Sequence, residues 1–196
     1  MPDERTLRFY AENAATYAGR SRGLPGERLA AFIALMPPGA KVLELGTGGG
    51  QDAAAMLAQG LDVTPTDASP ELAAEAERLV GRPVAVMRFD ELEAQAAYDG
   101  VWASACLLHA PLEELTGDLA RIHRALKPGG RFFASFKAGN GPGYDSLGRY
   151  YNYPSREGLL AHYRDAARWS LLDIAEHDGG GYDGLPTRWL WVMARK

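Results

Sequence analysis

The sequence predicts an α/β fold: a doubly wound sheet, mostly parallel, closing on an antiparallel carboxyl-terminal strand. Three observations predict it. An apolar strand runs into alternate glycines over residues 42–52, and strand-like and helix-like segments then alternate as far as Phe136. Two final strands are joined by a loop with no room for a helix, so they must pair antiparallel. No low-complexity linker or internal repeat divides the 196 residues, which are one domain's worth. A single domain over 1–196 is expected, with 1–38 supplying helices that cover or close over the sheet.

Before the first strand, Leu29, Phe32, Ile33 and Met36 recur at helical spacing, and Pro37-Pro38-Gly39 ends that helix ahead of a strand starting at Lys41. After the glycines, Ala53 to Ala58 reads as a helix, and the apolar stretch 61–66 as a second strand ending at Asp67. Ser69 is an N-cap with Pro70 at N1, opening a helix through Ala73, Ala76 and Leu79 that Gly81 closes. A strand near 84–87, a short helix or turn over 91–97 and a strand over 100–106 follow. Leu112, Leu115, Leu119, Ile122 and Leu126 form a stripe at three- and four-residue intervals, a buried helix face. Phe132, Ala134 and Phe136 alternate with Phe133 and Ser135 in a strand apolar on both faces, as a central strand should be. Residues 137–154, rich in glycine and tyrosine, read as a covering loop whose tyrosines stack on an acceptor or pack on the sheet. Ser155 caps a helix carrying Leu159, Tyr163 and Ala166, and strands over 169–175 and 187–194 flank a glycine loop at 177–184.

Gly46, Gly48 and Gly50 can take positive φ and expose backbone N–H groups to a ligand, with a helix amino end behind them. This is a nucleoside-cofactor turn. The dinucleotide fingerprint asks for a glycine or alanine three residues after the second glycine, and that position holds Gln51. Glu44 is expected to aim its carboxylate into the cleft, where it would repel a pyrophosphate and attract a sulfonium or ammonium. Asp67 is placed to accept both ribose hydroxyls, in either cofactor.

These segments together resemble the class I S-adenosylmethionine-dependent methyltransferases, of the broad small-molecule branch that includes tellurite-resistance-like enzymes. Glu44-Leu45-Gly46-Thr47-Gly48-Gly49-Gly50 resembles the family's first motif and Asp67 its acidic second motif. Arg88-Phe89-Asp90 resembles its adenine-flanking turn, Tyr98 to Ala103 its fourth strand, and Leu126 to Arg131 the turn before its fifth. The resemblance implies a Rossmann-like sheet with a reversed last strand and S-adenosylmethionine as cofactor. It implies cofactor contacts from Glu44, Gly46, Thr47, Gly48, Gly50 and Asp67, with Phe89 on the adenine face and Asp90 at its amino group. The plainer alternative is that Phe89 completes a strand and Asp90 caps a helix. Tyr10 and Tyr17 resemble the aromatic spacing of a lid helix, and Arg20 could pair with the methionine carboxylate; the alternative is an amphipathic helix that only covers the sheet.

His109 follows a strand at its carboxyl end, where ligands bind in open α/β sheets. It is the one candidate catalytic base, or else a structural hydrogen-bonding residue. Methyl transfer from a sulfonium gains much of its acceleration from alignment, and a base is needed only if the acceptor must lose a proton early. Cys106 is preceded by Ala105 rather than proline, unlike a cytosine-methylating nucleophile, and reads as a core residue. The Asn/Asp-Pro-Pro-aromatic signature of amide- and exocyclic-nitrogen methylation is absent after the fourth strand.

The expected activity is methyl transfer to a small-molecule acceptor. The alternatives are a non-catalytic S-adenosylmethionine-binding module and, against Gln51 and Glu44, an NAD-dependent oxidoreductase. A formal net charge of -4 gives no long-range attraction to nucleic acid. One cysteine allows no intrachain disulfide, no stretch has the length of a membrane span, and the amino end is acidic, so a cytoplasmic protein is expected. No histidine, cysteine and carboxylate cluster has metal-ligand spacing, and no metal is assigned.

Overall fold

A computed structural model describes residues 3–20 and 26–196. Of the amino-terminal segment 1–38, residues 1–2 and 21–25 lie outside the described residues. In chain order the elements are α1 (Glu4–Glu12), α2 (Ala14–Ala18), α3 (Glu27–Ala34), β1 (Lys41–Leu45), α4 (Gln51–Ala58), β2 (Asp62–Asp67) and α5 (Pro70–Val80). They continue with β3 (Ala85–Val86), β4 (Tyr98–Ala103), α6 (Leu115–Ala125), β5 (Leu126–Lys137), β6 (Gly143–Tyr144), β7 (Tyr150–Tyr151), α7 (Arg156–Ala166), β8 (Leu171–Gly180) and β9 (Pro186–Arg195).

Seven strands form one sheet in the order β3-β2-β1-β4-β5-β9-β8. The first five run parallel, β9 runs antiparallel to β5, and β8 antiparallel to β9. This is the doubly wound architecture with the reversed strand that the sequence predicts. Strand order turns back at β1, which has β2 on one side and β4 on the other, and the crevice beyond the carboxyl ends of β1 and β4 is where such sheets bind ligands.

Period-two alternation sorts the strands onto two faces. Leu43, Leu45, Val101, Phe132 and Phe136 pack on the side of α6 and α7, while Val42, Trp102 and Phe133 pack with Phe32 and Met56 on the side of α3 and α4. Trp102 stacks on Phe133 with ring centroids 4.2 Å apart. On α6, Leu115, Leu119 and Ile122 are buried at helical spacing. Each is worth about 1.5–3 kcal/mol relative to exposure, which is why a polar substitution on this stripe would dislodge the helix.

The structure corrects four local expectations. Of the helix or turn expected over 91–97 the helix falls; a single 3-10 turn at Phe89–Glu91 is followed by irregular chain with a left-handed bend at Ala96 (φ 42°), because Ala96 and Ala97 N–H groups donate to the Arg124 and Ala125 carbonyls instead of to their own segment. The fourth strand stops at Ala103, since Ala105 takes a left-handed φ of 52° and Cys106 leads into a 3-10 turn at Leu107–His109. Within 137–154 there is a short hairpin, β6 with β7. The last two strands run further than expected, pairing as far as Gly180 with Pro186, so the connecting loop is only residues 181–185.

Candidate active site

The glycine turn joins β1 to α4, with φ of 64° at Gly46, 57° at Gly48 and 83° at Gly50, a left-handed geometry that side chains resist. The three glycines serve different contacts. A Cβ on Gly46 would collide with the Cβ of Cys106, so this glycine lets the ends of β1 and β4 approach, and Cys106 Sγ donates to the Leu45 carbonyl at 3.0 Å. Gly50 caps α4, and a Cβ there would run into Ala76 and Val80 of α5. Its missing side chain thus lets α4 and α5 pack closely. Gly48 N–H donates to Asp67 Oδ2 at 2.9 Å, and Ser69 N–H to Oδ1 at 2.9 Å.

Asp67 is 7% exposed, and burial pushes its carboxyl up to about 6, against the pull of the backbone N–H groups. Ala68 N–H also draws on the carboxylate, which of its about four lone-pair sites keeps capacity for a further donor. Gly46, Gly48, Asp67, Phe89, Tyr10 and Tyr17 stand in the wall of one cavity with roughly 650 Å³ of empty space, part of it open to solvent. Glu44 does not reach this wall. The alternation of β1 puts it on the same face as Val42, 2% exposed, where it accepts a hydrogen bond from Thr47 Oγ1. Thr47 N–H in turn donates to the Thr66 carbonyl. The Glu44 and Thr47 side chains thus bond each other under the turn.

Phe89 borders the main cavity and also a smaller hollow that it shares with Asp90, Ala68, Ala110 and Asp118. Asp90 is engaged by Arg88 Nε at 3.1 Å. Burial, with Glu114 and Asp90 nearby, pushes the Asp118 carboxyl up to about 7.

His109 is held by two bonds. Its Nδ1 lies 2.6 Å from the Tyr150 carbonyl, which can only accept, so Nδ1 carries the proton; its Nε2, 2.9 Å from Tyr10 Oη, then accepts from that hydroxyl. Arg149 Nη1 donates to the same Tyr10 oxygen at 3.2 Å. Burial, together with the Arg149 charge, takes the imidazole down to about 4, so it is neutral at physiological pH. Asn152 pins the turn that carries His109, donating from Nδ2 to Leu107 and Ala110 carbonyls. The helix α1 is tied to the hairpin by Tyr150 N–H donating to Thr6 Oγ1 at 2.8 Å.

A second cavity, with about 930 Å³ of empty space and likewise partly open to solvent, shares Tyr10, Tyr17, Ala105 and His109 with the first. Tyr17 stacks on Tyr182 at 5.3 Å, and Arg20 lies 4.2 Å over the same Tyr182 ring. The structure therefore brings Tyr10, Tyr17, Arg20 and His109 together. Several residues here carry no signal that local reading weighs. Arg149 pairs with Asp145 at 2.6 Å inside an aromatic surround that includes Phe9 and Tyr182; a four-residue spacing was its only trace. Lys137, at the end of β5, also reaches the wall. Gln51, which broke the dinucleotide fingerprint, donates from Nε2 to the Ala18 carbonyl at 2.8 Å and fastens α2 to the glycine turn.

A methyltransferase-domain family model matches residues 17–177. The chain belongs to the methyltransferase-domain family. Among solved structures, the methyltransferase chain resembles the 1,6-didemethyltoxoflavin-N1-methyltransferase of Burkholderia thailandensis, solved with 1,6-didemethyltoxoflavin and S-adenosylhomocysteine. That likeness has a TM-score of 0.74 and 27% identity, covering 98% of this chain and 87% of that one. It is 35% identical over 108 residues to a ubiquinone biosynthesis O-methyltransferase of Xanthomonas axonopodis, covering 52% of this chain and 44% of that protein. It is 34% identical over 116 residues to an S-adenosyl-L-methionine-dependent Diels-Alderase of Talaromyces variabilis, covering 54% of this chain and 39% of that protein. The matches thus span about half or less of these two curated relatives. S-adenosylmethionine is the cofactor of this methyltransferase family, as the glycine turn and its departure from the dinucleotide pattern led one to expect. No helix among the described residues is long and apolar enough to cross a membrane.

Proposed function

We propose that this methyltransferase moves a methyl group from S-adenosylmethionine to a small-molecule acceptor. The observation that carries the reading is the pair of adjoining cavities: one rests on the glycine turn and Asp67, the other on cations and tyrosines, and they share Tyr10, Tyr17, Ala105 and His109. A cofactor in the first would present its reacting end to the second.

The residues present fit the cofactor. Asp67 has lone pairs left for the ribose hydroxyls, and Gly48 keeps backbone rather than side chain at the wall. Phe89 lies along the adenine, with Asp90 at its amino group on the side of the smaller hollow. Arg20 takes the methionine carboxylate, and α1 and α2 form the lid, latched by Gln51 on one side and Thr6 on the other. When bound, S-adenosylmethionine supplies a sulfonium-activated methyl with a good leaving group. The protein's work is then to align and to exclude water. His109 does this by holding the Tyr10 hydroxyl; as a neutral ring with both nitrogens engaged, it is a positioning residue rather than a base. Net charge of -4 favours a small acceptor over nucleic acid, and the single buried thiol, Cys106, suits a reducing compartment such as the cytoplasm.

The test is transfer of a labelled methyl group from S-adenosylmethionine into a library of small molecules, scored with S-adenosylhomocysteine release. Transfer in equal amounts is the expected result. The Diels-Alderase relative supports a second reading, cofactor-dependent chemistry without methyl transfer. Tight cofactor binding with a changed small molecule and no label in it would favour that reading, and binding with no turnover a cofactor-sensing module.

A further inference from the structure

Among the described residues, three cations reach the wall of the second cavity: Arg20, Lys137 and Arg149. Arg149 is satisfied by Asp145, and Arg20 is assigned above to the methionine carboxylate. Lys137 is in a different position. It is 4% exposed, its ammonium stands 4.3 Å from the centre of the Tyr151 ring, and the carboxylate facing it, Asp183, is 3.9 Å away, beyond hydrogen-bonding distance. Asp183 turns its other oxygen to Leu185 N–H at 3.2 Å. Room for the ammonium is made by Gly181, where a Cβ would sit 2.9 Å from Nζ. Burial and the Arg149 charge lower the Lys137 pKa from its ordinary 10.5, against the pull of Asp183 and Asp145. A strongly hydrated ammonium in such a place calls for an anion in contact with it.

The rest of the described wall is largely aromatic. Tyr151, Tyr182 and Trp189 present rings, and His109 has one nitrogen donating to a carbonyl and the other accepting from Tyr10. Among the described residues the bases at this wall are already engaged, Asp183 by the Lys137 charge and Leu185 N–H and His109 by Tyr10 and the Tyr150 carbonyl, which favours an acceptor that arrives without its proton.

We propose that the acceptor is a planar organic anion, an oxygen or nitrogen anion delocalised on a ring, held through its charge by Lys137 Nζ and through its face by the aromatic wall. This rests on the methyltransferase reading above. The acceptor's lone pair forms the new bond to the methyl carbon while the carbon–sulfur bond breaks and its electron pair stays on sulfur. The negative charge of the acceptor and the positive charge of the sulfonium cancel, and no proton moves. Lys137 is thereby a specificity-determining residue.

Three probes of one outline test this by calorimetry on the full chain saturated with S-adenosylhomocysteine, which keeps Arg20 engaged: benzoate, benzamide and benzamidinium. Benzoate should bind about tenfold or more tighter than benzamide, with benzamidinium weakest. K137M should erase the preference for benzoate and K137R retain most of it, while affinity for S-adenosylhomocysteine stays as in the wild type. Benzoate binding no tighter than benzamide, or not at all, overturns the proposal, as does a K137M protein that keeps the preference. Should K137M fail to fold, K137Q takes its place, since Arg20 and Arg149 line the same cavity and the variant is what singles out Lys137. Absence of S-adenosylhomocysteine binding, seen before any probe is added, refutes the methyltransferase reading and this proposal with it.

Discussion

Replacing Asp67 by alanine is the sharpest perturbation of the cofactor cavity. Its two oxygens accept from Gly48 and Ser69 N–H groups at 2.9 Å and have lone pairs left for the ribose. Losing charged hydrogen bonds of that kind costs about 1.5–3 kcal/mol, roughly a tenfold to hundredfold weaker dissociation constant for S-adenosylhomocysteine. A pH signature accompanies it. Burial raises this carboxyl from 3.8 to about 6, so in the free protein its contribution to stability is full below 3.8 and is lost as pH rises through 6. Ribose hydroxyls donate to the ionised form, so binding draws the pKa down, and affinity must fall as the free carboxylate protonates. Between pH 8 and pH 5 the wild type should lose about tenfold in affinity through this group, and Asp67→Ala should lose that component. Calorimetric titration across this range measures both. An unchanged dissociation constant in a folded mutant, or a wild-type affinity as pH-dependent as the mutant's, would refute the assignment of Asp67 to the ribose.

Gly48→Val should abolish cofactor binding, because a branched side chain would stand in the cavity wall, and should lower the melting temperature too, because φ of 57° strains it; normal binding by dialysis would show that the turn is not the contact surface. Gly46→Ala should instead cost stability, about 2 kcal/mol or more, by forcing its Cβ onto Cys106, and Cys106→Gly in the same chain should recover part of it in chemical denaturation. If α1 and α2 are the lid, hydrogen exchange in both should slow when S-adenosylhomocysteine is added, since lids belong to the less stable parts of a fold. Gln51→Ala, freeing Ala18, should weaken cofactor binding more than it lowers the melting temperature, and the opposite order would make α2 scaffold.

Much of the candidate site is legible in the sequence because its signals are local. Gly46, Gly48 and Asp67 sit at strand ends, where the motif and the register agree, and they meet at the crevice because β1 lies between β2 and β4. Glu44 and Gly50 belong to the same motif, which reports that a residue is needed and not which neighbour it meets. Glu44 answers to Thr47, and Gly50 to α5. The covering segment 137–154 was recognised by composition, yet its hairpin and the burial of Arg149 depend on α1, far off in sequence.

The sequence by itself determined the alternation of strands and helices, the reversed last strand and the glycine turn. These follow from periodicity, capping and backbone freedom, which act over a few residues. Tertiary structure alone decided that His109 is a neutral, doubly engaged ring. It joins Tyr10, 99 positions away, to the Tyr150 carbonyl, 41 positions away. It alone decided, too, that Lys137 meets Tyr151 and Asp183 at the second cavity. A side chain's protonation and partners depend on what burial removes and what contact supplies, and both are set by segments that approach only when the sheet has closed.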